Sequence, residues 1–166
     1  MTTSLRSEYM LDPTVTYLNH GSFGACPRTV FESWQGFQRR LESNPVRFLS
    51  HEAGEMLHDA RRKLAAYLGA EANNLILTTN PTHAFAQISR TVPLQPGDEI
   101  LATDQEYPAM ERGWEYIAYK TGARYLHQPL PLPLSSKEEF IETFWAGVTE
   151  RTRVIHLSHI VAGLAL

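Results

Sequence analysis

Cysteine is almost missing from this chain: Cys26 stands alone among 166 residues. It can close no internal disulfide and build no Cys-rich zinc site, and with no obvious base beside it, it reads as a small packed residue. Long apolar runs are missing too. None approaches the roughly 18–20 residues that a membrane-crossing helix needs, so no membrane partner is expected. The first eleven residues carry Arg6 and Glu8 and no apolar stretch, and do not read as a secretory leader. Basic charge is scarce: 15 Lys and Arg face 18 Asp and Glu, and the net charge is −3. A nucleic-acid partner needs a basic face, so none is expected. Neither a G-x-G-x-x-G fingerprint nor a P-loop occurs. Seven histidines are present, but His51 and His58 lie seven apart and His156 and His159 straddle a strand end. No metal is expected from such spacings. These exclusions leave a cytoplasmic protein that handles a small molecule as the expectation.

The chain itself changes rhythm partway. Residues 1–16 are polar and irregular, and "YLNHGSFGACP" reads as a tightly turning loop. Val30, Phe31, Trp34, Phe37 and Leu41 recur at helical spacing, which predicts a helix over 28–43 ended by Asn44-Pro45. A second helix is predicted over 51–68, with Gly69 as its terminator. After that, short apolar runs alternate with amphipathic ones. Strands are predicted at 74–79, 99–103, 124–128 and 153–158, and helices at 81–91, 107–121 and 136–147. Such alternation implies an α/β fold: a parallel sheet with helices on both faces.

Ligands of open α/β sheets bind outside the carboxyl ends of the strands, so two turns stand out. In "TTNPTHA" a helix opens at Asn80-Pro81, and its free N–H groups suit a phosphate, with Asn80 and Thr82 adding side-chain groups. The same residues serve equally as a plain N-cap. In "TDQEYPA" Tyr107 is placed either to stack on a planar ligand or to pack over the next helix start.

The segments "TYLNHGSFGACPRTVFESWQGFQRRLESNPVRFL", "LILTTNPTHAFAQI", "PGDEILATDQEYPAMERGWEYIAYKTGA" and "TRVIHLSHI" together resemble, in order, the class V aminotransferase family, most nearly its isopenicillin N epimerase-like branch. The resemblance runs from Tyr17 to Ile160. It implies the fold-type-I scaffold and pyridoxal 5′-phosphate as cofactor, with residues 17–166 an incomplete N-terminal part of the cofactor-binding large domain. It implies that Thr82, flanked by Asn80 and His83, holds the cofactor phosphate and that Tyr107 stacks on the pyridine. It places Asn19, His20 and Gly21 on the substrate side. The substrate is expected to be an amino acid or derived from one, the reaction that of a transferase, epimerase or lyase, and the complete protein a homodimer.

Departures from the family pattern carry expectations of their own. Pro81 stands where a small residue is usual, and it lacks the N–H that could reach a phosphate. His83 replaces a frequent Glu or Thr. The Asp that pairs with the pyridine nitrogen and the Lys that carries the cofactor are not in this sequence. Lys63, Lys120 and Lys137 all fall on predicted helices away from the family's Lys motif, and no catalytic residue is assigned. The segment by itself is therefore expected to be inactive and to bind the cofactor weakly if at all. Two other readings compete: a non-catalytic remnant with a binding role, and an unrelated small phosphate-binding α/β domain. The missing P-loop counts against the latter.

Overall fold

The computed structural model describes residues 5–21 and 23–161, and it divides into two compact units, Met1–Leu77 and Thr78–Leu166. The first is helical. Leu5–Glu8 forms a single 3-10 turn, and the Arg6 guanidinium gathers the carbonyls of Asp12 and Val15 at 2.8 and 2.7 Å. Helix α1, Arg28–Ser43, ends at Asn44 as its Asn-Pro pair dictates. The chain does not pause there. Asn44 accepts the Arg47 N–H, Pro45 takes the first helical position of α2 (Pro45–Arg47), and a π-helical turn, Phe48–Glu52, leads into α3, Ala53–Leu68. The helix predicted from residue 51 thus begins six residues earlier. Glu52 ties the bend together by pairing with Arg40 at 2.7 Å and Arg47 at 2.8 Å.

The predicted strand at 74–79 does not form. Ala72–Asn74 is a 3-10 turn, Leu75 is extended, and Ile76 is 85% exposed. The apolar side chains suit a strand, but no neighbouring strand among the described residues takes up the backbone N–H and C=O groups. A strand without a ladder is only extended chain.

The second unit holds the sheet. Helix α4 spans Pro81–Ser89, strand β1 Glu99–Thr103, helix α5 Pro108–Thr121, strand β2 Arg124–Gln128, helix α6 Lys137–Trp145 and strand β3 Thr152–His156. The order is β2-β1-β3, and both pairings are parallel. From β1 the chain crosses to one side through α5, then passes back to the other side through α6. Crossovers between parallel strands are right-handed, so opposite directions of travel put the two helices on opposite faces. The contacts agree. Ile100 shares a core with Trp114 and Ile117 of α5 and Phe85 of α4. On the other face, a Cβ built at Gly147, just after α6, would lie 3.2 Å from Leu101. Strand β1 is central and buried at every residue, which is why EILAT reads as an unbroken run rather than an alternation. Gly122 closes α5 in the left-handed region at φ 76° with its Cβ position against Pro96, a place for glycine alone.

Candidate functional site

Strand order reverses at β1, so the crevice between the carboxyl ends of β1 and β3 is the place where a sheet of this kind receives a ligand. Helix α4 starts on the turn that precedes the sheet. Asn80 Oδ1 accepts the His83 N–H at 2.8 Å, and the Asn80 carbonyl accepts the Ala84 N–H at 3.1 Å. Pro81 has no N–H. The Thr82 N–H is left as the donor of this helix start without an assigned acceptor among the described residues. The His83 ring is held by its neighbours: Nδ1 lies 3.2 Å from Thr78 Oγ1 and 3.4 Å from Thr79 Oγ1, and Nε2 lies 3.2 Å from Gln87 Nε2. Asn80, Thr82 and His83 therefore share one turn, with three threonine hydroxyls nearby in sequence. Of the two readings of this turn the structure shows the cap: Asn80 accepts the His83 N–H, and the Thr82 N–H is not used by it.

Tyr107 is the residue before α5. Its backbone is extended, at φ −70° and ψ 126°, Pro108 follows at the first helical position, and its side chain is 54% exposed. Thr82 lines a cleft of about 100 Å³ between α4 and α5 with Phe85, Arg90, Gly113 and Tyr116; Tyr107 is not among the residues lining it. Asn19, His20 and Gly21 belong to the first unit. Their loop is closed on itself: the Asn19 carbonyl accepts the Phe23 N–H at 3.0 Å, the Tyr17 hydroxyl donates to the Phe23 carbonyl, and the His20 ring meets the Tyr17 ring edge-on at 4.9 Å.

Residues that the sequence did not single out lie beside Tyr107. Glu106 is buried and accepts from Thr103 Oγ1 at 2.8 Å, from the Ser158 N–H at 3.0 Å and from Ser158 Oγ at 2.6 Å. His156 Nε2 stands 3.6 Å from the same carboxyl. Burial holds the His156 imidazole below its ordinary pKa, and Glu106 pulls the other way. The polar run Thr103–Glu106 was visible at a strand end, but nothing local told that Ser158, 52 residues on, would donate to it. A larger, apolar hollow of about 570 Å³ lies by the start of α6. Its serines are already engaged: Ser136 Oγ caps the Glu139 N–H, and Glu139 accepts from Ser135 N and Oγ at 2.7 Å. No cluster of three metal-ligating side chains occurs among the described residues, and none of their helices is long and apolar enough to cross a membrane.

A parallel sheet wound in both directions, with an exposed aromatic just beyond its central strand, defines an α/β protein of the class whose members receive ligands at the carboxyl edge. The family described as Aminotransferase class-V matches residues 16–163, and the chain belongs to that family. Isopenicillin N epimerase from Amycolatopsis lactamdurans is 39% identical over 97% of this chain, and the enzyme of the same name from Streptomyces clavuligerus 36% identical over 97%. The chain spans about two fifths of these relatives, 41% and 40% of their lengths. Among solved structures, a C-DES variant with glycine covalently linked to its pyridoxal-phosphate cofactor superposes with a TM-score of 0.84 at 24% identity, covering 96% of this chain and 42% of that one. The cysteine desulfurase CsdA from Escherichia coli gives 0.71 at 25% identity over 95% of this chain and 41% of that one. The fold is thus a partial fold-type-I domain, and pyridoxal phosphate is the cofactor of the family.

Proposed function

We propose that this chain is the N-terminal part, over residues 17–166, of a pyridoxal-phosphate enzyme of the isopenicillin N epimerase-like branch, acting on an amino acid or a compound derived from one. The observation that supports the reading is the start of α4: in a chain 39% identical to an isopenicillin N epimerase, Asn80 caps the His83 N–H and leaves the Thr82 N–H unused. The donor set suits a phosphate ester, since it combines that N–H with hydroxyls and the positive end of a helix. Thr82 binds the phosphate, Asn80 fixes the turn through His83 N–H, and His83 flanks the group. Tyr107, with its ring exposed, stacks on a planar heterocycle. Asn19, His20 and Gly21 serve the substrate side. Once bound, the cofactor supplies an electron sink for charge developing at the substrate's α-carbon.

The homodimer proposed for the complete protein is supported by apolar residues left exposed on α1 and α3, including Trp34 and Leu57. A cytoplasmic location accords with the single cysteine. The 166-residue segment is itself proposed to be inactive, because no lysine here stands at a cofactor-bearing position. A C–S lyase reading is favoured by one relative, the putative L-cysteine desulfhydrase 2 of Oryza sativa, 30% identical over 91% of this chain.

Equilibrium dialysis of the chain against pyridoxal 5′-phosphate and against pyridoxal tests the cradle. The phosphate form should bind at least about tenfold better, and Thr82→Ala should erase most of that preference. Equal binding of the two would overturn the cradle. Borohydride reduction and peptide mapping should find no stoichiometric adduct on Lys63, Lys120 or Lys137. One such adduct would show a cofactor lysine within this segment.

A further inference from the structure

Glu106 is spent on neither phosphate nor ring, yet it is the most deeply placed acid of the carboxyl edge, its side chain 1% exposed. Three donors converge on it. Thr103 Oγ1 reaches Oε1 from the last residue of β1, and Ser158 N and Oγ both reach Oε2 from just beyond β3. The Gln105 N–H in turn rests on Thr103 Oγ1 at 3.2 Å, and Asp104 Oδ1 accepts the Leu130 N–H at 3.2 Å. Every residue from 103 to 106 is thereby tied down. Tyr107 comes next, and no aromatic ring or cation among the described residues stacks on its ring, which is 54% exposed. The backbone on either side of Tyr107 is fixed, by these ties before it and by Pro108 at the first helical position after it.

Resting on the reading of Tyr107 as a stacking residue, we propose that Glu106 is a positioning residue: it clamps the β1–α5 turn onto Ser158 and so aims the Tyr107 ring for a planar ligand. The clamp works through accepted hydrogen bonds. A glutamine retains it, because its amide oxygen can face the two Ser158 donors while its NH₂ donates to Thr103 Oγ1. An alanine abolishes it and leaves the half-buried Ser158 N–H without its acceptor.

Two readouts test the clamp on the 166-residue chain. The first needs no ligand: the aromatic NMR signals of Tyr107 together with amide exchange at Ser158. The second is the dissociation constant for pyridoxal 5′-phosphate. In Glu106→Ala the Tyr107 signals should move toward those of an unstructured tyrosine, Ser158 exchange should quicken, and the dissociation constant should rise about tenfold. Glu106→Gln should restore all three to within about threefold of the parent. A Glu106→Ala chain with unchanged Tyr107 signals would overturn the proposal, as would a glutamine variant as impaired as the alanine one. If Glu106→Ala fails to fold, Ser158→Ala and Thr103→Val, which remove one donor each, carry the same test. Tyr107→Ala separates the two ideas. If it leaves the dissociation constant unchanged, the stacking reading fails, while the ligand-free response of the Tyr107 ring to Glu106 still decides the clamp.

Discussion

The two units of this chain solve burial differently. Among the described residues up to Leu77, Ala65 alone is buried, although α1 and α3 carry well-formed apolar stripes. In the unit from Thr78 onward, β1 is buried along its whole length, and Ile100, Trp114, Ile117 and Ala118 close a core around it. Helices satisfy their backbone hydrogen bonds alone and can be specified by periodicity and caps; a sheet exists only where strands find each other. Truncating a side chain should therefore cost little in the first unit and much in the second.

The largest contrast is expected between Ile100→Ala and Leu57→Ala. Ile100 is 0% exposed, and its truncation should cost about 3 kcal/mol through lost burial and a residual cavity. Leu57 is 58% exposed, and its truncation should cost less than about 1 kcal/mol. Urea unfolding followed by circular dichroism measures both, and equal losses would erase the distinction. Gly113→Ala comes next. A Cβ there would run into the Phe85 ring where α4 meets α5, so a loss of about 2 kcal/mol is expected from overpacking. Gly36, on α1, has open space at the same construction, and its substitution by alanine should instead stabilise by about 0.5–1 kcal/mol. Caps should act alike in both units. Asn80 and Asn44 each accept one N–H, at 2.8 and 3.0 Å, and alanine at either should cost about 1 kcal/mol in thermal unfolding.

Acid should separate the units most gently. Burial lowers the pKa of His156 from its ordinary 6.5, so the unfolded chain takes up that proton first. Its contribution is whole above pH 6.5 and is lost as the pH falls toward the folded value. In the first unit Glu52 is lowered from 4.5, chiefly by its bond to Arg40, and its contribution persists until the pH drops below 4.5 and through its folded value. Between those limits amide exchange should rise around β3 before it rises around the Arg40–Glu52 bend.

This contrast also explains what was legible beforehand. The five helices were read from apolar spacing and caps, and their ends shifted by a few residues where Pro45 and the π-helical turn extended the second. Strands β1, β2 and β3 were read from short apolar runs between glycine and proline turns. The run at 74–79 has the same composition and forms no strand, because composition records what a side chain prefers and not whether a neighbour is there. The candidate site divides along the same line. Asn80, Thr82 and Tyr107 sit at boundaries of elements and announce themselves in sequence. Glu106 and Ser158 matter through each other across 52 residues, a relation that no local pattern holds.

That distance has a consequence for the order in which the carboxyl edge is assembled. Strand β1 meets β2 across 25 residues, as Glu99 and Arg124 show, but it waits for 52 before Ser158 reaches Glu106. Loop closure costs more as the span lengthens, by about 0.6 kcal/mol for each doubling, and distant pairings form late. During synthesis the β1–α5–β2 hairpin of elements is complete while Ser158 is still to be made. The turn carrying Tyr107 therefore sets with the docking of β3 on β1, whose own pairings span 53 to 54 residues, and a nascent chain completes this edge of the sheet only after β1, α5 and β2 are in place.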